Sequence, residues 1–199
     1  MRLAYRGAPY HGWQSQPGGV ITVQSELERA LSMVLRHPDM KITGAGRTDT
    51  GVNARRMFAH FDTDEPLTPQ RLDSLPRALG SITGPDIAVE EVYEVAPDLH
   101  ARFSATSRTY RYYAVTKQSP FLYPLTWYAP PTLDFDLMNR AAETLLHTDD
   151  FTSFAKLHTD TKTNICRVTR AEWVMEAPDR WYFEITADRF LRNMVRAVV

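Results

Sequence analysis

Residues 44–61 constrain the fold more than any other stretch of this chain, because they join a glycine-rich turn to an alternating strand pattern. They read Gly-Ala-Gly-Arg-Thr-Asp-Thr-Gly-Val-Asn-Ala-Arg-Arg-Met-Phe-Ala-His-Phe. Three glycines permit sharp turns or the close approach of another molecule, and the alternation that follows them is typical of a strand. The pattern predicts a tight loop that presents Asp49, with Arg47 two residues before it. The alternative is a turn in which Asp49 caps its own backbone.

Helical and strand periodicities alternate along the rest of the chain. A capping box of Ser25 and Glu28 predicts where the first helix begins, and Pro76 is expected to shorten or kink the second. The predicted strands are residues 2–6, 40–44, 56–62, 87–95, 108–116, 167–175 and 180–187, and the predicted helices are 25–35, one from Pro69, 135–147 and one from Asp188.

This order, β-α-β-β-α-β followed by β-α-β-β-α, predicts an α+β fold of two ferredoxin-like or RRM-like halves. We assign residues 1–98 to the first half, which carries Asp49, and residues 99–199 to the second. The two halves are expected to share one large, mostly antiparallel sheet with helices on one side. The last predicted helix is still apolar at Val198 and Val199, with no capping residue after them. We therefore expect the carboxyl-terminal end to be truncated.

Composition narrows the possible functions. A single cysteine, Cys166, excludes an internal disulfide framework, and with no secretory signal the sequence predicts a cytoplasmic protein. No apolar run is long enough to cross a membrane. The net charge is only −1, but residues 1–25, 99–133 and 189–199 contain no Asp or Glu and do contain Arg. Such segregation favours a polyanionic partner bound to one face.

Several kinds of site are excluded by spacing. His60 and Asp62 have no second pair with metal-ligand spacing, so no metal is expected. No Gly-x-Ser-x-Gly motif is present, and Asp49 stands where a dinucleotide fingerprint requires its third glycine. What remains is a lone carboxylate, able to act as nucleophile or general base without a cofactor. Tyr110, Phe103 and Trp13 are candidates for stacking on an unpaired base.

Seven blocks, in order along nearly the whole chain, resemble the TruA-type tRNA pseudouridine synthases. They are residues 10–14, 23–24, 45–52 with 59–61, 103–106, 108–112, 150–154 and 190–196.

The resemblance implies the pseudouridine synthase fold and isomerisation of uridines 38, 39 and 40 in the tRNA anticodon stem-loop, without metal or cofactor. It implies that Asp49 is the catalytic aspartate and that Tyr110 stacks on the target base. Arg47 is expected to bind the flipped nucleotide's phosphate or to pair with Asp49, and Arg196 to lie near the catalytic carboxylate. A homodimer that binds tRNA across both subunits is also implied.

Three departures from the family pattern accompany the resemblance. Asn53 replaces an expected histidine, and Arg56 and Met57 replace a glutamine and a small apolar residue. The family also continues past the last helix. If the protein ends at Val199, we expect weak stability and little activity, so the alternative function is that of a weakly active or inactive RNA-binding protein.

Overall fold

The computed structural model describes residues 1–156 and 163–199, which form two compact units, Met1–Ala105 and Thr106–Val199. Residues 99–105, assigned to the second half from the sequence, belong to the first unit. One hydrogen bond that holds them there runs from the amide of Ala101 to Nδ1 of His60, over 3.1 Å.

The first unit is a four-stranded antiparallel sheet packed against two helices. Its elements are β1 (Arg2–Tyr5), α1 (Val23–Leu35), β2 (Thr43–Gly44), β3 (Ala54–His60), α2 (Pro69–Thr83) and β4 (Ile87–Glu91). The strands lie in the order β2-β3-β1-β4. Leu3 of β1, Leu27 and Leu31 of α1, and Leu75 and Leu79 of α2 are fully buried in the core of this unit. Burial of each such side chain contributes about 1.5–3 kcal/mol.

Helix α1 begins earlier than the sequence predicted. Thr22, not Ser25, is its N-cap: the Thr22 hydroxyl accepts from the Ser25 amide, and the Ser25 hydroxyl accepts from the Thr22 amide. The predicted box of Ser25 and Glu28 is therefore wrong. Glu28 instead accepts a hydrogen bond from the amide of Ile42. The helix starts earlier because Val23 is fully buried in the core.

Helix α2 continues through Pro76 as far as Thr83. Proline removes one backbone hydrogen bond and disfavours a helix interior. Leu75 and Leu79 lie on either side of Pro76 and are both fully buried, so packing offsets this cost. The expectation that Pro76 would shorten the helix is wrong.

The second unit contains a four-stranded sheet in the order β6-β5-β8-β7. Its main elements are β5 (Arg108–Val115), β6 (Trp127–Tyr128), α3 (Phe135–Glu143), β7 (Val168–Ala177), β8 (Arg180–Ala187) and α4 (Met194–Val198), with 3-10 helices at Thr144–His147 and Thr152–Phe154. The pairing of β5 with β6 is parallel and the others are antiparallel. Asn139 of α3 exchanges two hydrogen bonds with the backbone of Trp173, which fastens the helix to β7.

Element bounds differ from the sequence prediction in two informative places. β4 ends at Glu91 instead of residue 95; Glu91 lies opposite Arg2, the first residue of its partner strand β1. Helix α4 begins at Met194 instead of Asp188. The Asp188 carboxylate accepts from the amides of Arg167 and Arg189, and Asn193 adopts a left-handed φ of 67°, so this stretch turns instead of coiling.

The α+β class is confirmed. Hydrogen bonds between the described strands join four strands within each unit, and one sheet shared by both halves stays a prediction. In residues 1–156 and 163–199, no helix has the length and apolarity needed to span a bilayer.

Candidate active site

The Asp49 loop, residues 45–53, joins β2 to β3 and is fixed by the amino-terminal segment. The amide of Trp13 donates to the carbonyl of Thr48 over 3.0 Å. The hydroxyls of Tyr5 and Thr48 are hydrogen-bonded at 2.7 Å. Both contacts involve the residue before Asp49, so the backbone that presents this carboxylate is held from outside the loop.

Asn53, which departs from the family pattern, holds the end of the loop. Its side-chain Oδ1 accepts a hydrogen bond from the amide of Gly7 over 2.8 Å. A net hydrogen bond of this kind contributes about 1 kcal/mol. Asn53 therefore makes a contact between the loop and the amino-terminal segment.

Two glycines permit this close packing. A Cβ on Gly44 would lie 2.5 Å from the indole ring of Trp13, so only glycine lets the ring cover the start of the loop. Gly12 has a φ of +87°, and a Cβ there would lie 2.7 Å from the Thr48 carbonyl oxygen. Both positions favour glycine for steric reasons.

The Asp49 side chain is exposed. Within the described residues its carboxylate takes part in no hydrogen bond or ion pair. The amide of Val52 donates to the backbone carbonyl of Asp49 over 3.1 Å and does not contact the carboxylate. Asp49 therefore does not cap its own turn. The loop fixes its backbone and leaves its oxygens accessible.

Arg47 is exposed on the same loop and lines a cavity of about 180 Å³. We call it the Arg47 cavity; Trp13, Gln24 and Arg102 also line it. No ion pair joins Arg47 to Asp49 in the part of the chain that the structure describes. Arg47 is therefore not paired with Asp49 in this structure, and it lines a space that can admit a ligand group.

Gln24 lines the Arg47 cavity, and four hydrogen bonds hold its side chain in place. The sequence alone assigned no role to this residue. Its Oε1 accepts from the Gln14 side chain at 2.7 Å and from the Ser15 amide at 3.0 Å. Its Nε2 donates to Glu28 at 2.9 Å and to the carbonyl of Ile42 at 3.0 Å. The only sequence signal was membership of residues 23–24 in one of the family blocks.

Two of the aromatic residues considered for base stacking differ sharply in exposure. Trp13 is 1% exposed and packs on Gly44, so the expectation that it stacks on a base is wrong. Phe103 is 77% exposed. One face of its ring stacks on His100 with centroids 4.3 Å apart, which leaves most of the ring accessible.

His60 and His100 fix the segment that carries Phe103. Their rings meet edge to face at 4.7 Å, and Nδ1 of His60 accepts from Ala101. Nδ1 of His100 accepts from the amides of Arg102 and Phe103, at 3.2 and 3.3 Å. Burial, and secondarily the neighbouring His100, lowers the pKa of His60. The neutral imidazole is the form that can accept from Ala101.

The other two predicted site residues belong to the second unit. Tyr110 lies on β5, half-buried against the core of that unit, with its ring edge to face with Phe190 at 5.0 Å. Arg196 is exposed on α4. Arg47 and Asp49 thus share one loop, whereas Tyr110 and Arg196 are positioned by a strand and a helix of the other unit.

Alternative chemistries find little support in the described residues. No cluster of three or more His, Cys, Asp or Glu side chains suited to a metal occurs among residues 1–156 and 163–199. Cys166 is buried, and that burial raises the pKa of its thiol. A thiolate nucleophile is therefore disfavoured.

Comparison with known proteins identifies the family. A family model described as tRNA pseudouridine synthase matches residues 141–199. The tRNA pseudouridine synthase A of Parabacteroides distasonis is 51% identical over 197 residues, covering 99% of this chain and 76% of the relative. The proteins of that name from Bacteroides fragilis and Bacteroides thetaiotaomicron are 52% and 54% identical, over 99% of this chain and 77% and 72% of their own lengths. With such identity over almost its whole length, the chain belongs to the tRNA pseudouridine synthase A family of isomerases.

Proposed function

We propose that this protein converts uridines 38, 39 and 40 of the tRNA anticodon stem-loop to pseudouridine, with Asp49 as its single catalytic carboxylate. The observation that carries the proposal is the Asp49 loop: its backbone is anchored by Trp13 and Tyr5, yet the carboxylate is exposed and takes part in no bond within the described residues. A reactive group needs this combination of fixed position and accessible atoms.

The reaction is an isomerisation and needs no external group. The N1–C1′ bond of the uridine breaks, C1′ joins C5, the C5 proton is lost to solvent, and N1 gains a proton. A uridine stacked in an RNA stem cannot expose these atoms, so it must first be flipped out, which costs a few kcal/mol. Asp49 then acts as nucleophile towards the base or sugar, or as the base that removes a proton.

Three further side chains support catalysis in this proposal. Tyr110 stacks on the flipped uracil, and its half-buried position against Phe190 gives the ring a defined orientation. Arg47 binds the phosphate of the flipped nucleotide; its place in the lining of a cavity and the absence of an ion pair with Asp49 in the described residues support this role. Arg196, exposed on α4, supplies a positive charge near the catalytic carboxylate in the RNA-bound enzyme.

We further propose that the enzyme acts in the cytoplasm as a homodimer that binds one tRNA across both subunits. The segregated basic segments of the sequence support a polyanionic partner. Phosphate contacts then supply much of the affinity, which falls as the salt concentration rises.

Release of tritium from tRNA labelled at uridine C5 tests the proposal directly. The wild-type protein, Asp49→Ala and Asp62→Ala would be compared; Asp62 is an exposed aspartate of the same unit and serves as the control. We expect release with the wild type and Asp62→Ala but not with Asp49→Ala. Equal release from all three would refute the assignment of Asp49. Binding of tRNA without release from any of them would mean an RNA-binding protein without turnover.

A further inference from the structure

Residues 99–105 display two side chains, Arg102 and Phe103, that the proposed chemistry at Asp49 does not use. Both are exposed. The backbone beneath them is held firmly, because their two amides donate to one atom, Nδ1 of His100. The segment is also tied to β3 through His60 and Ala101. The backbone of residues 101–103 is therefore fixed, and it presents one cationic and one aromatic side chain at the surface.

Arg102 shares the Arg47 cavity with Arg47 itself. Among the described residues, those that line this cavity include no carboxylate, and its floor is the neutral amide of Gln24. Two guanidinium groups that face one small polar cavity match a phosphate group, which guanidinium groups bind through paired hydrogen bonds.

Phe103 lies next to this cation and offers its ring to solvent. The ring is 77% exposed although one face packs on His100. The guanidinium of Arg102 lies 5.9 Å from the ring centroid, at the outer limit of a cation–π contact. Exposed aromatic rings beside basic groups are the usual platforms for unpaired bases.

We propose that Arg102 and Phe103 together bind one unpaired nucleotide of the RNA substrate: Arg102, with Arg47, at a phosphate, and Phe103 at a base. The proposal rests on the proposed function, since it takes RNA as the substrate. The phosphate is the one that Arg47 contacts, and residues 99–105 add a second segment to the site beside the Asp49 loop. His60 and His100 are positioning residues for this site.

The test is the affinity for a fluorescent anticodon stem-loop hairpin, measured as a function of KCl concentration. Arg102→Gln should weaken binding and reduce the slope of log affinity against log salt by about one, whereas Arg102→Lys should keep the slope. Phe103→Leu should weaken binding about 5- to 150-fold with the slope unchanged. Phe103→Tyr, which keeps a ring, should retain the affinity. Arg77→Gln, exposed on α2 and outside the cavity, controls for loss of charge.

The outcomes separate this inference from the proposed function. If the wild type forms pseudouridine while Arg102→Gln and Phe103→Leu bind the hairpin as it does, the inference is wrong and the proposed function stands. If the wild type neither binds the hairpin nor forms pseudouridine, the proposed function fails first. A second measurement needs no variant: hairpins carrying 5-iodouridine in the loop should cross-link to Phe103, and cross-links confined to other residues would contradict the proposal.

Discussion

Two carboxylates in this molecule have opposite surroundings. Glu184 of β8 is almost fully buried, and Arg111 and Arg170, from the strands on either side, hold it through ion pairs. Asp49 is exposed on its loop and has no ion pair in the described residues. A buried carboxylate without a partner is costly, so Glu184 is tied to cations that the fold supplies. Asp49 makes no ion pair that stabilises the fold in the described residues, and its carboxylate oxygens remain available to a substrate.

The arginines beside these two carboxylates differ in the same way: Arg111 is paired with Glu184, whereas Arg47 is not paired with Asp49. The hydrogen bond to Glu184 is the main cause that raises the pKa of Arg111, and Arg111 also lies over the ring of Tyr182 at 4.5 Å. Arg47 makes no ion pair with its neighbouring aspartate and faces a cavity instead. The cations near the second sheet thus serve structure, whereas Arg47 is positioned for a ligand. Four substitutions test this contrast, in order of decreasing expected effect.

The largest effect is expected for Asp49→Asn. Loss of a positioned nucleophile or general base lowers the rate by about 10²–10⁴-fold, while the melting temperature should stay within a degree or two, since no described contact is lost. Single-turnover tritium release and thermal melting measure the two quantities. A large drop in melting temperature would show that Asp49 serves the fold after all.

Glu184→Gln should lower the stability of the fold and leave the rate of the reaction unchanged. The substitution leaves two guanidinium groups beside a neutral amide, and we expect the free energy of unfolding to fall by about 2–3 kcal/mol, less than for a fully buried pair because both arginines reach solvent. The rate per folded molecule should be retained. Urea denaturation measures the loss, and an unchanged midpoint would mean that the ion pairs contribute nothing net.

Gly44→Ala addresses the support of the Asp49 loop. The new methyl group would lie 2.5 Å from the Trp13 ring, so either the ring or the loop must move, at a cost of about 1–2 kcal/mol. Activity should fall although Asp49 is intact. Gly80→Ala, on α2 and outside the Arg47 cavity, where nothing lies within 4 Å of the added group, is the control. Equal activity of the two variants would show that the Trp13 contact does not position the loop.

The smallest expected effect is a pH dependence of the folding stability that is due to His60. Burial lowers its pKa in the folded protein, with His100 adding to this and Asp62 opposing it. Between that lowered value and the ordinary value of about 6.5, the unfolded chain binds more protons, so stability falls as pH drops through this window and is unaffected by His60 above it.

His60→Asn should reduce this pH dependence, because the amide oxygen can accept from Ala101 without titrating. Melting temperatures between pH 7.5 and 5 measure the effect, with exposed His37→Asn as control. If wild type and His60→Asn lose stability equally over this range, the histidine is not the titrating group.

Local periodicity made much of the fold predictable. The apolar spacing in α1, the alternation in β5 and β8, and the glycine-rich turn before β3 each follow from side-chain direction along a helix or strand. The Asp49 loop could be singled out because it combines three glycines with a lone carboxylate beside an arginine, and the catalytic role of Asp49 stays a prediction. The isomerase family could be identified because the blocks occur in order along the chain.

Contacts distant in sequence were not predictable. Thr22 and Ser25 are both acceptable N-caps, and burial of Val23 decides between them. Trp13 was one candidate for stacking on a base, but the missing side chain of Gly44 leaves room for its ring to be buried. The hydrogen bond between His60 and Ala101 depends on β3 meeting a segment about forty residues later, which no local pattern encodes.

The contacts that hold the Asp49 loop come from Tyr5, Gly7 and Trp13, at the beginning of the chain. During synthesis the loop emerges after these residues, so its partners are already available when it leaves the ribosome. In the folded protein the same arrangement couples the loop to β1: any fluctuation that separates the first strand from the sheet also breaks the hydrogen bond between the hydroxyls of Tyr5 and Thr48. The Val52 amide, which donates to the carbonyl of Asp49, should therefore exchange its proton with solvent faster in any variant that weakens the pairing of β1.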